Sequence, residues 1–200
     1  MPTRRLLPSA IGPRVHLRPP RPSDEAAFLR AARASRRLHG AWAKAPSTPL
    51  RFASFVERYD GRNPSHAGFL VVRNEDGAIA GVLNFSEIVR GLFQSAYLGY
   101  YGFAPLAGGG YMTEGLVLAL DVAFRKLKLH RVEVNVQPTN RRSLALVGRV
   151  GFTREGFSRR YVKIGGRWRD HVRFAMLAED WPALRRRIAA TPKPRGKARR

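Results

Sequence analysis

The stretch Ala104-Pro105-Leu106-Ala107-Gly108-Gly109-Gly110, running directly into Tyr111-Met112-Thr113-Glu114 and on to Leu129, decides the reading of this chain of 200 residues. Ahead of it, Ser95 to Phe103 (SAYLGYYGF) reads as a strand. Behind the glycines, Met112, Leu116, Leu120, Ala123 and Leu127 recur at three- and four-residue spacing, which predicts an amphipathic helix of about five turns. Three glycines between a strand and a long helix make a candidate anion cradle. Backbone N–H groups without side chains in the way can close around phosphate oxygens, and the helix N-terminus adds unpaired donors and its positive dipole end. A turn that only needs positive φ would use glycine as well. The Gly-Lys-Ser/Thr of a Walker loop is missing, and so are the third spaced glycine and later acid of a dinucleotide fingerprint.

Upstream of the cradle, Arg14 to Arg18 (RVHLR) alternates as a first strand, ended by Pro19-Pro20. Ser23 caps an Ala-rich segment that predicts a helix to about Leu38, and Leu50 to Tyr59 predicts a second. Gly68 to Asn74 and Ala78 to Phe85 read as a hairpin around Glu75-Asp76-Gly77. Downstream, His130 to Gln137 alternates with Val132, Val134 and Val136 on one face, and Pro138-Thr139-Asn140 opens a helix from Arg141 to Val150 that Gly151 ends. Phe152 to Lys163 and Arg167 to Leu177 form a hairpin around Gly165-Gly166, and Trp181-Pro182 opens a terminal helix. This order predicts an α+β domain over residues 1–184 with a mixed sheet.

Lys and Arg number 37 against 14 Asp and Glu, for a net charge of +23. From Arg185 to Arg200 the chain carries eight basic residues and no acid; removing those eight from +23 still leaves +15. The segment predicts a basic, disordered tail over residues 185–200. Such a field attracts phosphate: RNA, ribosomes or an anionic cofactor. The absence of cysteine excludes disulfides, a Cys nucleophile and thiolate zinc sites. His16, His39, His66, His130 and His171 show no metal spacing, so no metal is expected, and the histidines read as solvent-facing or satisfied. No apolar run approaches the ~20 residues of a membrane span, and the first residues make a poor signal peptide. The expected location is cytoplasmic, with no membrane contact.

Asn140-Arg141-Arg142-Ser143 begins the later helix, where Asn140 serves equally well as a plain N-cap. Taken together, Gly108-Gly109-Gly110, Asn140-x-x-Ser143 and Val150-Gly151-Phe152 resemble the GNAT N-acetyltransferases. Gly81-Val82-Leu83-Asn84-Phe85-Ser86, Tyr97-Leu98-Gly99-Tyr100 and Gly165-Gly166-Arg167-Trp168-Arg169-Asp170 look like its RimJ/RimL branch, the ribosomal-protein-alanine N-acetyltransferases. The likeness runs from about Val15 to Trp181 and implies the GNAT fold, a mixed, mostly antiparallel sheet flanked by helices.

The resemblance implies acetyl-CoA as cofactor. It gives the cradle to Gly108, Gly109 and Gly110, and the helix amides to Tyr111, Met112 and Thr113. Phe103 and Ala104 would align their backbone with the pantetheine arm, and Asn140 would bond the cofactor. The leading Gln/Arg of the family motif falls on Pro105 and its frequent Tyr acid on Val147. Ser143 is then the candidate acid for the departing thiolate, and also a cofactor contact. Glu87 is the candidate base, with a surface carboxylate as the simpler reading. Backbone amides at a bulge in the Tyr97 to Phe103 strand would polarise the thioester carbonyl. Of Tyr100 and Tyr101, on opposite faces, one is core and the other faces the cleft. Arg141 and Arg142 either reach cofactor phosphates or stay solvated.

The expected activity is acetyl transfer to a protein N-terminal α-amino group, a ribosomal protein by resemblance, by direct attack in a ternary complex. The expected partners are that N-terminus and, through the basic surface and tail, ribosomal RNA. A small-molecule amine acceptor, or an RNA-binding assembly role with a vestigial acetyltransferase site, are the competing readings.

Overall fold

The computed structural model describes residues 9–190. Strands β1 (Ala10–Ile11), β2 (Val15–Arg18), β3 (Ala67–Arg73), β4 (Ile79–Val89), β5 (Ser95–Gly102), β6 (Arg131–Val136), β7 (Thr153–Ile164) and β8 (Arg167–Leu177) form one sheet. Their order is β1-β2-β3-β4-β5-β6-β8-β7. Every neighbouring pair is antiparallel except β5 and β6, which run parallel because the Gly-rich turn and a helix cross over between them.

Helices α1 (Glu25–Ala34), α2 (Arg36–His39) and α3 (Pro49–Arg58) lie on one face, and α4 (Tyr111–Asp121), α5 (Arg141–Val150) and α6 (Trp181–Ala190) on the other. Strand β3 is covered on both sides, so Leu70 and Val72 join the core with Phe28 and Phe52 while Phe69 and Val71 join the core with Leu116 and Leu120. That two-sided burial explains why the Gly68 to Val72 run is continuously apolar rather than alternating.

The first predicted helix breaks at Ser35, whose hydroxyl donates to Ala31 O (2.6 Å) and accepts from Ala104 N–H (2.8 Å). This hydroxyl fastens the α1–α2 junction to the start of the Gly-rich turn. The long helix is not amphipathic as its stripe suggested. Gly115 to Leu120 are all buried, because β2, β3 and β4 lie beneath α4 and α5 lies beside it. Gly115 permits the close approach: a Cβ there would stand 2.9 Å from Val71. Nor is that helix one α-helix of five turns. It gives way after Asp121 to a π-helical turn, Val122–Lys126.

The basic segment expected to be disordered from Arg185 begins inside α6, which runs to Ala190. The helix is anchored. Trp181 is buried against Phe124 and donates its indole N–H to Asp121 Oδ1 (2.9 Å), and Arg185 donates to Asp121 Oδ2 (3.1 Å). Residues 191–200, the rest of the expected tail, lie outside the described residues.

Asp121→Ala should strand the buried Trp181 N–H and destabilise the fold by about 1–3 kcal/mol. Arg185→Ala should cost about 1 kcal/mol or less, since that pair is partly exposed. Thermal unfolding of the two variants checks the order; a larger loss for Arg185→Ala would contradict it.

Candidate active site

Strands β5 and β6 pair only over three positions, Ser95 to Tyr97 against Arg131 to Glu133. Beyond Tyr97 each keeps its outer neighbour: β5 stays on β4 to Gly102, and β6 stays on β8 to Val136. The two halves of the sheet therefore part, and backbone groups on their facing edges lose their strand partners. A cleft of about 940 Å³ lies at this parting. Its walls include Tyr100, Tyr101 and Gly102 of β5, the turn from Leu106 to Thr113 except for Gly109, and Thr139 to Ser143 at the start of α5. The α2 side contributes Arg37 and His39, whose Nε2–H donates to Gly102 O (2.9 Å).

At one end of the cleft stands the Gly-rich turn. Gly108 (φ +84°) and Gly110 (φ +78°) adopt the left-handed conformation that favours glycine. No side chain caps α4, so the first amides, of Tyr111, Met112 and Thr113, have no intrahelical acceptor. Glu114, an acid in the first turn, would oppose an anion here, but its carboxylate faces away. Its Oε1 accepts from Arg14 N–H (2.7 Å) and Val15 N–H (3.2 Å), and its Oε2 accepts from Arg14 Nε (2.9 Å). Arg14 also donates to Gly109 O (2.9 Å) and lies over the Tyr111 ring. The cradle is thus held from behind by a neutralised pair. Arg37, Arg141, Arg142 and Arg149 line the cleft and, among the described residues, no Asp or Glu does. The site suits a polyanion.

Across the parting, the Tyr100 hydroxyl lies 2.6 Å from Ser143 Oγ. Burial pushes the Tyr100 phenol up to about 12, so it keeps its proton at neutral pH. Ser143 N–H donates to Asn140 Oδ1 (3.2 Å), so Asn140 is the N-cap of α5 and lines the cleft as well. Of the tyrosine pair, both reach the cleft. Tyr101 packs against His39 and Phe103 with its hydroxyl buried and unpartnered, and burial raises its pKa far above the usual phenol range.

Three expectations fail geometrically. Phe103 is fully buried against Phe28, and its N–H donates to Ala80 O; the Ala104 N–H donates to Ser35. Neither amide is free to meet a ligand: the first ties the start of the Gly-rich turn to β4 and the second ties it to the α1–α2 junction. Glu87 does not line the cleft. It is exposed at φ +50° in the register shift of β4, at the far end of β5 from Gly102. The bulge expected within Tyr97 to Phe103 is not found: the β4–β5 ladder runs unbroken from Gly81–Gly102 to Ser86–Tyr97, and its register shift lies beyond, between Ser86 and Val89. Sequence reasoning missed His39 and Arg37, whose place in the cleft depends on the break at Ser35.

The family model described as the acetyltransferase (GNAT) domain matches residues 14–153, well over half of the chain. The chain is 37% identical over 130 residues to the probable N-acetyltransferase YjcK of Bacillus subtilis, covering 65% of this chain and 71% of that protein. It is 42% identical over 107 residues to the [ribosomal protein uS5]-alanine N-acetyltransferase of Escherichia coli, covering 54% of this chain and only 55% of that enzyme. Among solved structures, Mycobacterium smegmatis RimJ in complex with CoA-disulfide superposes with a TM-score of 0.82 at 31% identity, covering 92% of this chain and 95% of that one. The ribosomal-protein-S5-alanine acetyltransferase of Vibrio fischeri gives 0.74 at 25% identity, over 86% and 98% of the two chains. On the family model and these likenesses, the chain belongs to the GNAT acetyltransferases, which take their acetyl group from acetyl-CoA.

Proposed function

We propose that this chain acetylates the N-terminal α-amino group of a protein in the cytoplasm, a ribosomal protein being the substrate class. One observation carries the choice of acceptor: among the described residues, no carboxylate lines the cleft. A lysine amine, with a pKa near 10.4, needs a strong base to become nucleophilic, whereas an α-amine near 7.7–8.0 is partly neutral already. The four arginines of the cleft also disfavour polycationic small amines. The likeness to the Escherichia coli enzyme supports the ribosomal substrate.

The residues fit acetyl-CoA: uncapped amides at Tyr111 to Thr113 and the positive-φ glycines would hold its pyrophosphate, and Arg141 and Arg142, which also line the cleft, would add positive charge. When bound, the cofactor supplies an acetyl thioester and a thiol leaving group. Ser143 Oγ holds a proton for that sulfur, and the Tyr100 hydroxyl beside it keeps the serine oriented and can replace the proton. The proton released by the amine passes to water. In this reading Glu87 plays no part in the transfer step.

The basic residues beyond Ala190 act as an electrostatic tether to ribosomal RNA. Truncation belongs after residue 190, because Arg185 helps anchor α6.

Gly108→Asp tests the cradle. Asp tolerates a left-handed backbone, and a Cβ there meets nothing within 4 Å, so the fold should hold. The added charge should weaken acetyl-CoA binding about tenfold or more in calorimetry, with Gly108→Asn less affected; equal affinity in all three proteins would exclude the site.

Ser143→Ala should lower kcat about 100-fold, toward the lower end of general-acid effects, and Tyr100→Phe by a smaller factor, while Glu87→Gln keeps the wild-type rate. The pH profile follows from the acceptor: kcat/KM rises as the α-amine loses its proton near pH 8 and then levels. No falling limb from Tyr100 should appear below about pH 10, since its pKa is about 12. A slow Glu87→Gln variant with an altered rising limb would restore that residue as the base.

Removing residues 191–200 should leave turnover of a free peptide unchanged. Ribosome binding measured over a salt series should lose about 0.7–0.9 of log–log slope per phosphate released. Superimposable curves would leave the tail without a partner.

A further inference from the structure

We infer that Asn84 and Asn135 form the subsite that holds the acceptor amine, over Gly99 on the sheet face opposite Ser143. This rests on the reading of the chain as an N-terminal acetyltransferase and names the groups that receive its substrate.

The register places the three residues together. Asn84 on β4 lies directly across from Gly99 on β5. Tyr97 pairs with Glu133 on β6, and two residues further along each strand stand Gly99 and Asn135, on the same face because side chains alternate with period two. Gly99 therefore has the Asn84 carboxamide directly across the β4 ladder and shares a face with Asn135, which stands across the gap where β5 and β6 have parted. It is exposed, and a Cβ added to it would meet nothing within 4 Å. Gly99 thus leaves an open stretch of backbone, with one amide across the ladder and a second across the gap.

Each of those amides has a buried oxygen, Asn84 Oδ1 and Asn135 Oδ1, with no hydrogen-bond partner. Buried acceptors are nearly always paired, and an unpaired one is costly. Two of them on the open face around Gly99 leave acceptors that a donor on a ligand can meet in place of solvent. The terminal torsion of asparagine is broad, so either oxygen can turn toward a group placed over Gly99. A primary amine brings N–H donors for both and keeps its lone pair for the carbonyl carbon.

The place matches the chemistry. Gly99 lies just past the point where β5 and β6 cease to pair, so the gap beside it connects this face with the cleft. Tyr100, the next residue, points to the other face and reaches Ser143. An amine over Gly99 thus approaches from one side of the sheet, and the proton donor for the leaving thiol waits on the other. The nitrogen forms the new C–N bond as the C–S bond breaks; nitrogen gives up one proton and sulfur gains one.

The nearby charges leave room for a neutral amine. Glu133 is bonded to Arg131 (2.8 Å), which also pairs with Glu155. Arg173, across the ladder from Asn135, leans over Gly156 of β7, on the far side from Gly99. Tyr97 shares a hydrogen bond with Tyr161 at the rim.

The test uses Asn84→Leu, Asn135→Leu and Gly99→Val in the full chain, with an alanine-starting peptide as acceptor. Replacing an unpartnered buried amide with an apolar group of similar size should leave thermal stability unchanged or higher, and Gly99→Val enters open space. Each asparagine variant should raise the peptide KM tenfold or more with acetyl-CoA affinity unchanged, and Gly99→Val should abolish peptide turnover while still binding acetyl-CoA. Unchanged peptide KM in all three variants, or a matching loss of acetyl-CoA affinity and stability, would overturn the subsite. If the wild-type chain binds acetyl-CoA but acetylates no peptide N-terminus, the proposed function itself falls, and this subsite with it.

Discussion

The parting of β5 from β6 after Tyr97 is the constraint on which the site depends. A parallel pair inside an otherwise antiparallel sheet needs a crossover, and here the crossover is the Gly-rich turn and α4. The same geometry therefore opens the sheet and sets a helix N-terminus at the opening. Strands held together to Gly102 would close the gap, and the cradle would have no groove to serve.

Around that opening, polar groups fall into two kinds. One kind is fully partnered and holds the frame. Glu114 with Arg14 and Val15, Ser35 with Ala104, His39 with Gly102, and Asp121 with Trp181 each link elements distant in sequence. The other kind lacks partners: the first amides of α4, the hydroxyl of Tyr101 and the carboxamide oxygens of Asn84 and Asn135. Buried polar groups without partners are unfavourable unless a ligand completes them. Among the described residues, Arg169 Nε and Arg173 Nε on β8 are buried without partners as well.

Charge is arranged with similar economy. The cleft gathers arginines, while acidic side chains near the site are occupied elsewhere: Glu114 by Arg14, and Glu133 and Glu155 by Arg131. Among the described residues the cleft therefore presents no carboxylate, either to oppose an anion or to act as a base. That combination favours amines that are partly neutral at physiological pH.

Most of the scaffold was legible in the sequence, because alternation, glycine turns and capping residues act over a few positions. The strands from Val15 to Leu177, the α5 cap at Asn140 and the Gly108 to Gly110 turn all follow from such local patterns. The uncapped start of α4 was legible too, since glycines before a helix leave its first backbone donors open wherever the helix lands. Only the tertiary structure could decide the rest. Burial of α4 on all sides depends on what packs beside it, and the break at Ser35 depends on a bond to Ala104, 69 residues away. The exclusion of Glu87 and the meeting of Tyr100 with Ser143 are set by strand register and by a gap between strands. Asn84 comes to lie opposite Gly99, and Asn135 on the same face across the gap, only through two ladders of opposite sense. The physical reason is the same in each case: local propensity acts along the chain, whereas a site forms between segments, and pairing across space has no local signature.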